Sequence, residues 1–169
     1  MLTKPTVWLN NVLEIDKRLL YRMKVKALIL DLDNTLSLDG SPAAELGVME
    51  WLGEMRALNV KMLIVSNNTK KRVEPLAEQL GIDFLAYGCK PLPFKINKAV
   101  KALTGQGVLR SQIAIVGDQI LTDVIGGNLS GIKTVLVQPF HIEGSVLFKC
   151  KRMVETVLFK RDFSEIKRL

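Results

Sequence analysis

The sequence predicts an α/β fold: a three-layer α/β/α sandwich around a mostly parallel, five-stranded sheet. Three observations point there. After residue 24, short aliphatic runs alternate with segments of helical length. Val25–Leu30 holds four large aliphatic residues in six positions, which suits a buried strand. Polar and charged residues then collect directly after the predicted strands, where open α/β sheets bind ligands.

Residues 1–24 read as a basic, helical N-terminal segment with Trp8, Leu9, Val12 and Leu13 beside Lys17, Arg18 and Arg22. Residues 25–140 form the core unit. Its first strand is Val25–Leu30. A loop through Asp39-Gly40-Ser41 leads to a helix from about Pro42 to Leu58, with proline near its first turn. The second strand is Val60–Val65, followed by a turn at Ser66–Thr69 and a helix to Leu80, which Gly81 ends. A short strand, Phe84–Tyr87, precedes Gly88-Cys89-Lys90-Pro91. A helix runs from Pro93 to Leu103. The fourth strand is Ile113–Val116, then come Gly117-Asp118-Gln119 and a helix to about Ser130. Lys133–Val137 is the fifth strand.

Residues 141–169 predict a basic amphipathic helix, packed on the core or extending from it. Val146, Cys150, Val154 and Val157 form one stripe, and Phe148, Phe159 and Arg152 lie nearly opposite. That second face suits either an anionic bilayer or a partner protein.

The 169 residues are 48% hydrophobic, enough for one globular unit. No run approaches the roughly 18 apolar residues of a membrane span, and no signal peptide is visible. Two cysteines, Cys89 and Cys150, make no disulfide framework, and the single histidine, His141, makes no metal cluster. A cytoplasmic protein with peripheral membrane contact is expected. The net charge of +7 is uneven: residues 1–26 carry six basic and two acidic side chains, and residues 141–169 carry seven and four. The stretch between them has eleven of each. Basic ends suit either an anionic partner or solvated helix faces.

The chemistry begins at Asp31-Leu32-Asp33-Asn34-Thr35. Two carboxylates two positions apart repel each other and need a cation or a shared proton. Magnesium favours carboxylate and carbonyl oxygens. Asp31 ends a strand, which suits a rigid nucleophile. Asp33 can reach a leaving-group oxygen as general acid and then serve as base for water. Asp118 and Asp123 follow the fourth strand and complete a metal site. Ser66 offers a hydroxyl, and the N–H groups of Asn67 and Asn68 offer a phosphate nest. Lys90 supplies a fixed positive charge. Thr35 supports the first loop.

These four stretches, in this order, resemble the motifs of the haloacid dehalogenase superfamily of aspartate-nucleophile phosphatases. The resemblance implies Asp31 as nucleophile, Asp33 as acid/base, Ser66 as phosphate binder and Lys90 as stabilising cation. It implies magnesium on Asp31, Asp118 and the Asp33 carbonyl, with Asp123 acting through water or orienting the site. Thirty-three positions separate Asp33 from Ser66 and twenty-four separate Ser66 from Lys90, so neither gap holds a cap domain. An open site suits a phosphate on a macromolecule or a membrane lipid. Within the superfamily the chain resembles the YqeG-type group, which is similar to phosphatidylglycerophosphate phosphatases. That implies a phosphorylated lipid as substrate and an anionic phospholipid surface as partner. One departure is Met23-Lys24, where a glycine-containing turn is expected before the first strand. The competing expectations are a phosphoprotein or nucleic-acid end as substrate, and a binding module without turnover. Nucleic acid is disfavoured because the motif region is neutral overall.

Overall fold

A computed structural model describes residues 2–139. Six strands lie in the order β1-β6-β5-β2-β3-β4, and every pair is parallel. They are β1 (Val7–Leu9), β2 (Ala27–Leu30), β3 (Lys61–Val65), β4 (Phe84–Leu85), β5 (Ile113–Gly117) and β6 (Lys133–Val137). The helices are α1 (Lys17–Met23), α2 (Val48–Ala57), α3 (Lys70–Leu80), α4 (Pro93–Thr104) and α5 (Ile125–Leu129).

Among the described residues the sheet therefore has six strands rather than five. The additional one, β1, lies in the N-terminal segment expected to be helical, which forms a strand first and the helix α1 afterwards. Val7, Trp8 and Leu9 pair with Val135, Leu136 and Val137. Three residues are too few to show a period of two, so only the pairing partner reveals this strand. A second difference is the start of α2, at Val48 rather than near Pro42. Ser37 bridges to Ala44, and Gly47 stands at φ 84, so the chain folds back on itself before helix begins. The expected C-terminal helix at 141–169, with His141 and Cys150, lies outside the described residues.

Alternation along the central strands divides the core between the two faces of the sheet. Leu28 and Leu30 of β2 pack with Trp51, Leu52, Leu76 and Leu80 of α2 and α3. Ala27 and Ile29 pack on the other face with Ile96, Ala99 and Leu103 of α4. Val12, Ile15, Leu19 and Leu20 join the first of these clusters, and Trp51 Nε1 donates to the Ile15 carbonyl at 2.9 Å. Apolar side chains of the N-terminal segment are thus spent on the core.

From β2 the chain adds β3 and β4 on one side, then returns through α4 to β5 on the other. The order reverses between β2 and β5, the point where open α/β sheets place their ligand crevice, beyond the carboxyl ends of the strands. Only α2 with its leading loop separates β2 from β3, and only α3 separates β3 from β4. Neither connection carries an inserted domain. Among the described residues, no helix is long and apolar enough to cross a membrane.

Candidate active site

Strand register brings the loops level. Leu30 pairs with Ile64 on β3 and with Val116 on β5. Asp31 follows immediately, its N–H donating to the Val116 carbonyl at 2.9 Å. Adjacent strands lie about 4.8 Å apart, so the loops after β2, β3 and β5 start within about 10 Å of one another. Asp31, Ser66 and Asp118 stand at their beginnings.

Lys90 comes from the loop after β4 and is held twice. Its backbone N–H donates to Asn67 Oδ1 at 2.7 Å, and Asn67 Nδ2 donates to its carbonyl at 3.1 Å. Its side chain is buried, with Nζ 2.7 Å from Asp31 Oδ1 and 2.7 Å from Asp123 Oδ1. Asn67, expected at a phosphate, thus uses its side chain to fix the lysine loop. The Asn68 N–H donates to Ser66 Oγ at 3.1 Å.

Asp123 sits in a wide turn, Ile120–Val124, with π-type hydrogen bonding. Such turns add a residue to a helical start and re-aim a side chain. Asp123 Oδ2 accepts from the Gln119 N–H and the Thr122 hydroxyl, both at 3.2 Å, leaving Oδ1 for Lys90. The carboxylate folds back over Gly117, where a Cβ would stand 2.2 Å from Asp123 Cγ. Asp31, Asp118 and Asp123 are all buried and each offers an oxygen within 4.8 Å of the others.

Three carboxylates around one ammonium leave a formal charge of −2 when all are ionised. Burial pushes the Asp31 carboxyl up to about 7, with Lys90 pulling it down and Asp123 pushing it up. Burial also works against the Lys90 charge, but Asp123 and Asp31 outweigh it and hold the ammonium above its ordinary range. The cluster has room in its charge balance for one divalent cation, and its all-oxygen donor set suits a hard one.

Asp33 lies apart from this cluster. Its Oδ1 accepts from Arg72 Nη2 at 2.5 Å and its Oδ2 from Asn68 Nδ2 at 2.6 Å. Arg72, in the first turn of α3, escaped the sequence reading: nothing local marks it as the partner of a residue 39 positions away. Thr35 is fully buried in the turn that Leu36 N–H closes on the Leu32 carbonyl at 2.8 Å. Gly117 was also missed as a site residue, although its place directly before Asp118 was a visible signal.

The order of motifs expected of the haloacid dehalogenase superfamily is thus carried by the loops of one sheet edge, and known proteins agree: the chain is a phosphatase of that superfamily, of YqeG type. Residues 1–140 match the family described as "Mitochondrial PGP phosphatase", and the chain belongs to it. It is 36% identical over 164 residues to the "Probable phosphatase YqeG" of Bacillus subtilis (strain 168), covering 97% of this chain and 91% of that protein. It is 26% identical over 167 residues to phosphatidylglycerophosphate phosphatase 1, chloroplastic/mitochondrial, of Arabidopsis thaliana, covering 93% of this chain and 47% of that protein. In fold it resembles a 4-nitrophenylphosphatase from Thermotoga maritima, with a TM-score of 0.56 at 14% identity, over 74% of this chain and 89% of the other.

Proposed function

We propose that this phosphatase removes the terminal phosphate of phosphatidylglycerophosphate, with magnesium as its metal and an aspartyl phosphate as its intermediate. One observation carries the chemistry: Lys90 Nζ is buried 2.7 Å from both Asp31 and Asp123, with Asp118 in the same acidic group. The relative named for phosphatidylglycerophosphate supports the substrate.

Asp31 and Asp118, with the Asp33 carbonyl, would hold the ion, and Asp123 completes the acidic wall. Bound magnesium supplies positive charge against the phosphoryl oxygens. An Asp31 carboxylate oxygen attacks phosphorus, and the bond from phosphorus to the glycerol oxygen breaks. Asp33 delivers a proton to that oxygen. It then takes a proton from the water that attacks the acyl phosphate, releasing inorganic phosphate and restoring Asp31. Ser66 and the Asn67 N–H bind phosphoryl oxygens, and Lys90 neutralises one of them while keeping Asp31 aligned. Asp33 is engaged by Arg72 and Asn68, so it must exchange these partners to reach the leaving oxygen.

A panel with and without magnesium tests the reading. It contains vesicle-borne phosphatidylglycerophosphate, a phosphopeptide, an end-phosphorylated oligonucleotide and 4-nitrophenyl phosphate. The lipid is expected to be turned over fastest, and only with the metal. Turnover of the aryl phosphate without the lipid would refute the substrate. Magnesium-dependent phosphate release from none of the four would favour a binding module.

A further inference from the structure

Three exposed apolar side chains sit on the loop that carries Lys90. Tyr87, Leu92 and Phe94 are 55%, 53% and 74% exposed, and they bracket the buried Lys90 within eight residues. Single exposed apolar residues need no explanation, but three within one short functional loop ask for one. The charge beside them is one-sided. Residues 84–117 contain Lys90, Lys95, Lys98, Lys101 and Arg110 and no acidic residue, a segregation hidden by the neutral sum over the middle of the chain.

The helix that follows continues the pattern. Ile96, Ala99, Val100 and Leu103 of α4 are buried against the sheet. Phe94, Lys98 and Lys101 fall at i, i+4 and i+7 and are all exposed, so they share the outer stripe. The apolar face of α4 is used on the sheet, so its outer stripe offers an aromatic tip and two lysines to whatever lies beyond it, a set that an anionic bilayer surface can meet. Exposed apolar tips beside lysines match a surface with an anionic skin and an apolar interior.

We propose that the loop Tyr87–Phe94 and the outer stripe of α4 form the face that docks on an anionic bilayer. The proposal rests on the lipid reading above and gives that site its partner surface. Phe94 and Leu92 enter the boundary between headgroups and acyl chains, and the lysines meet lipid phosphates. The same loop carries Lys90, so docking brings the uncapped crevice to the plane in which a lipid headgroup lies. The substrate then reaches Asp31 without leaving the membrane.

The test uses the full chain and vesicles of phosphatidylglycerol and phosphatidylcholine. Leu92→Glu/Phe94→Glu is expected to lower co-sedimentation and turnover of vesicle-borne phosphatidylglycerophosphate by about tenfold or more. Turnover of 4-nitrophenyl phosphate stays unchanged, which also reports an intact fold. Lys98→Glu/Lys101→Glu is expected to weaken binding to anionic vesicles by about tenfold, with a reduced salt dependence. Vesicle binding retained by both variants would overturn the proposal. So would loss of recruitment in Arg18→Glu/Arg22→Glu instead, which would place the docking face on α1. If the loop variants lose vesicle binding while the parent chain binds but does not hydrolyse the lipid, the docking face stands and the substrate assignment falls.

Discussion

Asp31 is a carboxylate where burial disfavours charge, and that determines how its replacement behaves. Its carboxyl is pushed up to about 7 by burial, which the attraction of Lys90 only partly offsets, and a smaller repulsion from Asp123 adds to burial. Asn keeps the shape and removes the charge, while Lys90 keeps Asp123 at 2.7 Å. Asp31→Asn is therefore expected to abolish turnover, by about 10⁴-fold or more, because no nucleophile remains. In chelator at pH 8 the same variant is expected to melt higher than the parent, where each kcal/mol is worth about 2–4 °C. At pH 5 the parent's folded Asp31 holds a proton that its unfolded chain has mostly released, so the gain is smaller, and it vanishes only below 3.8. Thermal scans of both proteins at the two pH values check this, and a variant that melts lower at pH 8 would contradict the assigned balance of burial and pairing.

At the scale of elements, two backbone positions make separate predictions. Gly117 ends β5 with no room for a Cβ, because Asp123 Cγ stands 2.2 Å from where it would be. Gly117→Ala must displace a carboxylate that Lys90, Gln119 and Thr122 all hold. The expected outcome is a loss of about 10²-fold in kcat and about 1–3 kcal/mol in stability, measured by kinetics and urea melts. Lys24 ends α1 at φ 52 and ψ 43, a left-handed conformation that glycine adopts without strain. Lys24→Gly is expected to stabilise the chain by about 0.5–1 kcal/mol in urea melts with activity unchanged. The family resemblance implied a glycine-containing turn at this point, and the structure supplies the turn with lysine in its place. What was legible followed from local pattern. β2, β3, β5 and β6 are aliphatic runs, and the polar residues after them mark the loops that converge. What was not legible depends on distant partners. β1 exists because β6 offers it an edge. The helix expected from Pro42 waits until Val48 because Ser37 bridges to Ala44. Arg72 matters because the fold delivers it to Asp33.

Over the whole molecule, the buried acidic group couples folding to pH and to metal. The unfolded chain ionises Asp31 at its ordinary value of 3.8, whereas the folded chain does so at about 7. Between these values the folded state holds a proton that the unfolded state has released, so this group's contribution to stability falls as pH rises from about 4 to about 7. Below 3.8 the contribution is fully present, and above about 7 it has been lost. A divalent cation acts in the opposite sense, since it binds the ionised carboxylates of the folded chain and finds no such cluster in the unfolded one. In chelator, this group's share of the melting temperature declines across that window. In excess magnesium the decline is offset, and the difference between the two conditions widens as pH passes through about 7. At a hundredfold excess over the dissociation constant the metal contributes about 2.7 kcal/mol. Scans at pH 5, 6, 7 and 8 with magnesium or chelator measure that difference directly. Asp118→Asn should flatten it, because it removes one carboxylate from the group of three. An equal difference at pH 5 and pH 8 would mean that the ion, if bound at all, is held away from Asp31.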